Sequence, residues 1–136
     1  MCFHVDIKYP NRQRAEKPIT CYKVLLYNNL RSEYYSFYNL YKYKLNSLYT
    51  SFLEEPDREF NRNRIDRLLP PIINRGIHSY STLDSAKKFI GEDAIFKVSV
   101  LVKCTIPEGA EYYYNSGYKE YVSDKIIIGD VMHYKK

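Results

Sequence analysis

Apolar and polar residues alternate along several stretches of the chain, which is the period of a β-strand with one buried face. The longest stretch is 94–106, in which every second residue from Phe96 to Cys104 is apolar. Alternation over 41–45, and short strand-prone runs bounded by turn signals elsewhere, predict further strands. They are 20–27, 33–38, 41–45, 72–80 with an interruption at Gly76, 110–114, 125–128 and 131–134. The pattern therefore predicts a sheet whose strands are joined by short turns.

A different pattern predicts a short helix over 82–90. Ser81 to Asp84 has the form of a capping box, in which Ser81 would accept hydrogen bonds from amides of the first turn. An apolar stripe follows on one face, formed by Leu83, Ala86, Phe89 and Ile90. Gly91 is placed to end the helix. Together these patterns predict an α+β fold, a twisted and mainly antiparallel sheet with this helix packed on one face.

The organisation of the chain is that of a single domain spanning 1–136, since 136 residues is an ordinary domain length. Residues 1–18 are expected to be an irregular lead-in. The charged segment 54–71 is expected to be an exposed loop or a short helix. No apolar run is long enough to cross a bilayer, and the first residues lack the pattern of a signal peptide. We therefore expect a cytoplasmic protein without a membrane partner.

Cys2, Cys21 and Cys104 are the three cysteines. Without a secretion signal, reduced thiols are expected. No C-x-x-C pair is present to organise a zinc site, so neither a metal nor another cofactor is predicted. Cys21 and Cys104 are instead interpreted as small core residues of two strands.

Composition adds sixteen tyrosines, a formal net charge of +5 and an isoelectric point near 9.0. A basic surface permits an anionic partner, and tyrosine rings suit both half-buried strands and stacking surfaces. Neither feature demands a partner, because solubility alone explains such a charge in many small domains.

Candidate binding residues cluster around the predicted helix start. An anion there would meet the amides of 81–84 and receive a hydrogen bond from His78, while Arg75 could grip a phosphate. The alternatives left open are a structural histidine and a solvated arginine. Tyrosines on both sides of Gly117, beside Lys119 and Lys125, could stack on a base or simply cover the sheet. The predicted ligand-binding set is Arg75, His78, Tyr80, Ser81, Tyr113 and Lys125, and no catalytic set is predicted.

Several motifs carry a resemblance to a family. They are Met1-Cys2, Cys21-Tyr22-Lys23-Val24-Leu25, Gly76-Ile77-His78-Ser79, Cys104-Thr105-Ile106-Pro107-Glu108-Gly109, Tyr112-Tyr113 and Ser123-Asp124-Lys125-Ile126. In this pattern the chain resembles small phage and prophage proteins of gut Bacteroidetes. The resemblance spans most of 20–128, departs in 29–69, and implies a bacterial host cell without assigning an activity. A looser likeness, at the level of architecture, is to phage Thoeris-evading proteins that sequester cyclic ADP-ribose signals.

Three functions are therefore expected to compete. The first is a non-enzymatic, phage-encoded binder that sequesters a small anionic, nucleotide-like immune signal. The second is an enzyme, because His78 and Tyr80 with Glu111 are similar to the His-Tyr-Glu set of ADP-ribosyltransferases. The third is a basic interaction protein that blocks a host protein or nucleic-acid complex. Its densest basic run is Arg58, Arg62, Arg64 and Arg67, diluted by acidic residues. Nucleic acid is the less favoured partner, and homo-oligomerisation stays open.

Overall fold

The structure is a computed structural model and describes residues 3–36, 41–55, 72–73, 75–88 and 97–132. Within these ranges it contains twelve strands and one α-helix. The strands are β1 (Phe3–His4), β2 (Gln13–Arg14), β3 (Ile19–Asn28), β4 (Glu33–Tyr35), β5 (Lys42–Tyr43), β6 (Ser47–Thr50), β7 (Ile72–Ile73), β8 (Ile77–Tyr80), β9 (Lys97–Ile106), β10 (Glu111–Asn115), β11 (Glu120–Ser123) and β12 (Lys125–Val131). The helix is α1 (Leu83–Lys87).

Ten of these strands form one sheet, and β1 pairs with β7 in a second, small one. The order in the large sheet is β2-β10-β11-β8-β3-β9-β12-β6, with β4 added beside β3 and β5 beside β4. Every described pairing is antiparallel. The predicted α+β fold, a mainly antiparallel sheet with a short helix, is confirmed.

Strands β3 and β9, each ten residues long, form the centre of the sheet. Ten residue pairs join them without a break, from Ile19 opposite Ile106 to Asn28 opposite Lys97. Cys21 and Cys104 lie directly opposite each other and are both buried, as expected for small core residues. The strands predicted over 20–27 and 33–38 are confirmed by β3 and β4, which pair as an antiparallel hairpin.

One apolar cluster covers what we call the inner face of the large sheet. It joins side chains from strands near both ends of the sheet, including Ala110 beside β10 and Ile126 and Ile128 on β12. Asp124 alone joins β11 to β12, and β8, β3 and β9 lie between these two strands in the sheet order, so the sheet must curl around the cluster. Tyr43 of β5 is also buried in this cluster.

The opposite, outer face carries two smaller clusters. In one, α1 packs Ala86 against Val24, Tyr80 and Leu101. In the other, Phe3 and Ile73 of the small sheet pack against Tyr113 and Val122 of β10 and β11 with Val5 and Leu53. The first 18 residues, expected to be irregular, thus contain two short strands, β1 and β2, and deliver a fully buried Phe3.

Several boundaries differ from the sequence predictions. The prediction of a separate strand beginning at Val131 is wrong, because Val131 belongs to β12. Strand β12 continues through Gly129 with an irregular register. Strands β6 and β11 were not predicted. The helix is described over Leu83–Lys87, while Phe89, Ile90 and Gly91 lie outside the described residues. So do 56–71 of the charged segment, including its four arginines. Within the described ranges, no helix has the length and apolar character needed to cross a membrane.

Candidate functional site

The turn between β10 and β11 is held in place by side chains on both of its sides. The Asn115 side-chain oxygen accepts a hydrogen bond from the Tyr118 amide at 2.9 Å, while the Asp6 carboxylate accepts from the Ser116 amide at 2.8 Å. The Ser116 hydroxyl also donates to Asp6, and these hydrogen bonds lower the pKa of that carboxyl. Lys119 follows with a positive φ of 52°. The turn is therefore pre-ordered, and it presents Tyr118 and Lys119 side by side.

The start of α1 lies against this turn. The predicted cap was wrong by one residue, because Thr82 accepts the hydrogen bond from the Ser85 amide at 3.2 Å. Ser81 instead donates both its amide, at 2.8 Å, and its hydroxyl, at 3.2 Å, to the Lys119 carbonyl. The Ser81 amide is consequently not available to an anion, and Ser81 serves to tie the helix start to the turn.

A pocket of about 370 Å³ lies between these two elements, and we call it the turn–helix pocket. It is lined by the start of α1, by the β10–β11 turn and by the adjoining ends of β8 and β11. The side chains with recognition chemistry are Tyr80, Asp84, Lys88, Tyr118, Lys119 and Glu120. This size is within the range of ligand pockets in proteins.

The rings and charges of the turn–helix pocket are unevenly exposed. Tyr118 is 63% exposed, whereas Tyr80 is 7% exposed and belongs to the core under the pocket. Neither Lys88 nor Lys119 forms an ion pair with another of the described residues. Lys88 and Lys119 therefore have no ion pair with a described carboxylate that an anion would have to displace.

Behind the pocket, His78 and Glu120 form a nearly buried pair. The imidazole Nδ1 lies 3.2 Å from Oε1 of Glu120, and the two side chains are 16% and 10% exposed. His78 Nε2 is buried and has no hydrogen-bond partner among the described residues. His78 is thus fixed within the sheet, and only its carboxylate partner lines the pocket.

The predicted binding residues are divided between two regions. His78, Tyr80 and Ser81 lie at or next to the turn–helix pocket. Arg75 lies beyond the other end of β8, where its guanidinium is 5.0 Å from the centre of the Phe52 ring. Lys125 is an exposed residue at the start of β12, opposite Thr50 of β6. A single small ligand at the helix start is therefore not reached by Arg75 or Lys125.

Tyr113 has a structural environment. It is 1% exposed, and its hydroxyl donates to the Glu55 carboxylate at 3.0 Å. Burial raises the pKa of this phenol. Its ring packs within the cluster around Phe3, so it offers no open face on which a base could stack.

The third residue of the expected His-Tyr-Glu set also lies elsewhere. Glu111 forms ion pairs with Arg12 at 2.7 Å and with Arg14 at 3.6 Å. The hydrogen bond from Arg12 lowers the pKa of Glu111. The carboxylate beside His78 is that of Glu120, whose strand position is opposite Tyr80.

Metal ligation has no visible basis in the described part of the chain. No group of three or more histidine, cysteine or acidic side chains comes together there. Cys21 and Cys104 are free thiols, and burial raises their pKa values to about 12 and about 11. Cys2 lies outside the described residues.

Sequence reasoning named Lys119 and the tyrosines around Gly117 but did not connect them with the helix start. It missed Glu120 and Lys88 altogether. A sign of Glu120's strand was present, since tyrosine and valine follow it in Glu120–Ser123. Comparisons of the chain with protein-family models, curated proteins and solved structures give no match.

Proposed function

We propose that this protein is a non-enzymatic binder of a small anionic ligand of the nucleotide kind, held in the turn–helix pocket. The observation that carries the proposal is that one pocket of about 370 Å³ is lined by an exposed tyrosine, Tyr118, together with two lysines, Lys88 and Lys119. An aromatic face binds bases of any sequence by stacking, and unpaired ammonium groups attract phosphate.

The pocket divides such a ligand into two parts. Its phosphate would lie between Lys88 and Lys119, and its ring would lie against Tyr118. The turn that carries Tyr118 is already ordered by Asn115 and Asp6, so little conformational entropy is lost on binding. The carboxylates of Asp84 and Glu120 also line the pocket, and they oppose a ligand that is anionic throughout.

A biological role for such a binder is supported by the resemblance of the chain to small phage proteins. A phage protein that holds a nucleotide-like signal lowers its free concentration and so blunts the host defence that depends on it. Turnover is not needed for this role. Stoichiometric binding at an affinity below the working concentration of the signal is sufficient.

Calorimetric titration tests the proposal with adenosine, guanosine and inosine monophosphates, cyclic mononucleotides and cyclic ADP-ribose isomers. We expect at least one to bind below millimolar concentration, more weakly as salt increases. Lys119→Ala and Tyr118→Ala should each reduce affinity roughly ten- to a hundredfold, since a contact to a charged group or a stacked base contributes about 1–3 kcal/mol. Lys44→Ala is the matched control, because it removes the same charge from an exposed turn after β5.

The outcomes separate the three functions. If no nucleotide binds below millimolar concentration, the binder proposal is overturned and the basic surface should be tested against proteins and nucleic acid. The enzyme alternative retains one specific observation, the placement of His78, Tyr80 and Glu120 on one face of β8 and β11. Release of nicotinamide from NAD by the wild type, abolished in Glu120→Gln, would favour that alternative.

A further inference from the structure

The fold holds the Glu120 side chain in a fixed orientation. Its residue is 8% exposed, and it is paired across the sheet with Tyr80 on one side and with Asn115 on the other. Buried carboxylates are rare unless they are paired. Glu120 has one such partner, His78, and it also lines the turn–helix pocket.

The contact with His78 determines which carboxylate oxygen is left for a ligand. An ionised carboxylate only accepts hydrogen bonds, so the imidazole Nδ1 at 3.2 Å must carry the hydrogen that reaches Oε1. No other described residue donates a hydrogen bond to the second oxygen, Oε2. This oxygen is also not fully buried. Oε2 is therefore an accessible acceptor, and the pocket is where it can find a donor.

We propose that Glu120 makes the turn–helix pocket selective for a base that presents an amino group, as adenine, guanine and cytosine do. This inference rests on the proposed function, because it concerns the base of the ligand whose phosphate is held by Lys88 and Lys119. The amino group donates to Oε2. A base with a carbonyl oxygen at the same position places an acceptor against a carboxylate, which repels it.

A ligand without the amino group leaves the nearly buried Glu120 carboxylate without a hydrogen-bond donor, and the cost of this sets the size of the selectivity. Sites that hydrogen-bond a polar group of the ligand discriminate strongly against an analogue without that group. For one hydrogen bond to a charged acceptor, we expect a roughly ten- to hundredfold difference in affinity.

Paired nucleotides measure this directly in the wild-type protein. Guanosine and inosine monophosphates differ by one amino group, and adenosine monophosphate carries an amino group where inosine monophosphate has a carbonyl. We expect the better-bound amino-bearing nucleotide to bind roughly ten- to a hundredfold more tightly than inosine monophosphate in calorimetric titration. The full chain is used, and this comparison requires no variant.

Glu120→Gln tests whether Glu120 itself sets the preference for an amino group. If Glu120 had only a structural role, the substitution would not reverse which nucleotide binds more tightly. The glutamine oxygen would accept from His78, as Oε1 does, and its amide group would then face the pocket as a donor. The preference should therefore shift toward inosine monophosphate. Glu108→Gln, which neutralises an exposed carboxylate in the turn after β9, should keep the wild-type preference. Circular dichroism and thermal unfolding check that both variants fold.

Each result decides between the two proposals. Nucleotides that bind without an amino preference would overturn the selectivity and leave the binder intact. Loss of affinity only for 2′-deoxynucleotides would show that Glu120 reads a ribose hydroxyl, which also overturns it. If no nucleotide binds, both proposals are wrong.

Discussion

Lys23 lies on the inner face of β3, within a largely apolar cluster. Its ammonium donates a hydrogen bond to the His78 carbonyl and lies 5.5 Å from the centre of the Tyr43 ring. No carboxylate forms an ion pair with it among the described residues. Burial lowers the pKa of this amine. Among the described residues, β3 and β8 are paired only at Tyr22 and Tyr80. The Lys23 ammonium therefore donates to the His78 carbonyl at a position where the backbone of β3 does not pair with β8.

Lys23→Met tests the consequence of burying this amine. The folded pKa lies below that of the unfolded chain, about 10.4, so the unfolded state binds more protons between the two values. The contribution of Lys23 to stability is therefore fully present above about pH 10.4 and is lost as the pH falls through the folded pKa. Urea unfolding between pH 7 and 10 should show the wild type gaining stability relative to Lys23→Met.

The control for that experiment is Lys103→Met, at an exposed position of β9. Its stability difference from the wild type should not change with pH. If the two variants show the same pH dependence, the amine of Lys23 is not held in a low-dielectric environment. Subtraction of the wild-type curve removes the titration of all other groups, because the variants share them.

The burial of the cysteines could be predicted from the sequence, whereas the burial of the charged residues could not. Cys21 and Cys104 were placed correctly because each lies within a predicted strand and a thiol is among the side chains most often buried. Nothing local indicated that Lys23 or Glu120 is buried, since charged residues are almost always exposed. Their burial results from contacts with His78, which is distant from both in the sequence. Alternation places a residue on a face but does not identify its partner across the sheet.

At the scale of elements, β12 shows how a turn signal can be misread. Gly129-Asp130 was interpreted as the end of one strand before another, whereas β12 continues to Val131 with a register irregularity. The reason is a close approach of two backbones. A Cβ added to Gly129 would lie 2.3 Å from the Lys103 carbonyl oxygen of β9. Glycine here lets β12 stay paired through a bulge, as it often does within strands.

Gly129→Ala should therefore destabilise the protein by roughly 1–3 kcal/mol, as overpacking against rigid atoms does. Gly109→Ala is the matched variant. Gly109 has a φ of +86° but open space around its added Cβ, so its cost is conformational strain alone, about 1–2 kcal/mol. Chemical denaturation of both variants gives the comparison. A smaller loss for Gly129→Ala than for Gly109→Ala would mean that β12 moves away from β9 at little cost.

The two halves of the turn–helix pocket illustrate why the site was harder to predict than the elements. The helix start was recognised from its capping residues, and the tyrosines on both sides of Gly117 were recognised as a possible stacking surface. Their contact depends on β8 pairing with β11, across some 40 positions of sequence. Local patterns contain no information on that pairing. The sequence therefore located two parts of the candidate site but assigned Arg75 and Lys125 to it by proximity in sequence.

At the scale of the whole molecule, the acidic groups buried on the inner face of the curled sheet make the free energy of unfolding decrease at alkaline pH. Burial raises the pKa values of several acidic groups on the inner face, to about 12 for Cys21, Tyr43 and Tyr121 and to about 11 for Cys104. In the unfolded chain these groups ionise near pH 8.5 for cysteine and 10 for tyrosine. Above those values the folded state binds more protons, so the free energy of unfolding decreases with pH.

We expect urea unfolding to show a stability that falls from about pH 9 toward 12, because these acidic groups outnumber Lys23, which acts in the opposite direction. The double variant Cys21→Ala, Cys104→Ala removes the groups that ionise first. Its absolute stability is lower because of the lost packing, but its stability should fall less steeply with pH between about 8.5 and 10. Equal slopes in that interval for the variant and the wild type would show that the thiols are not shielded from water. The tyrosines of the inner face would then account for the whole alkaline loss.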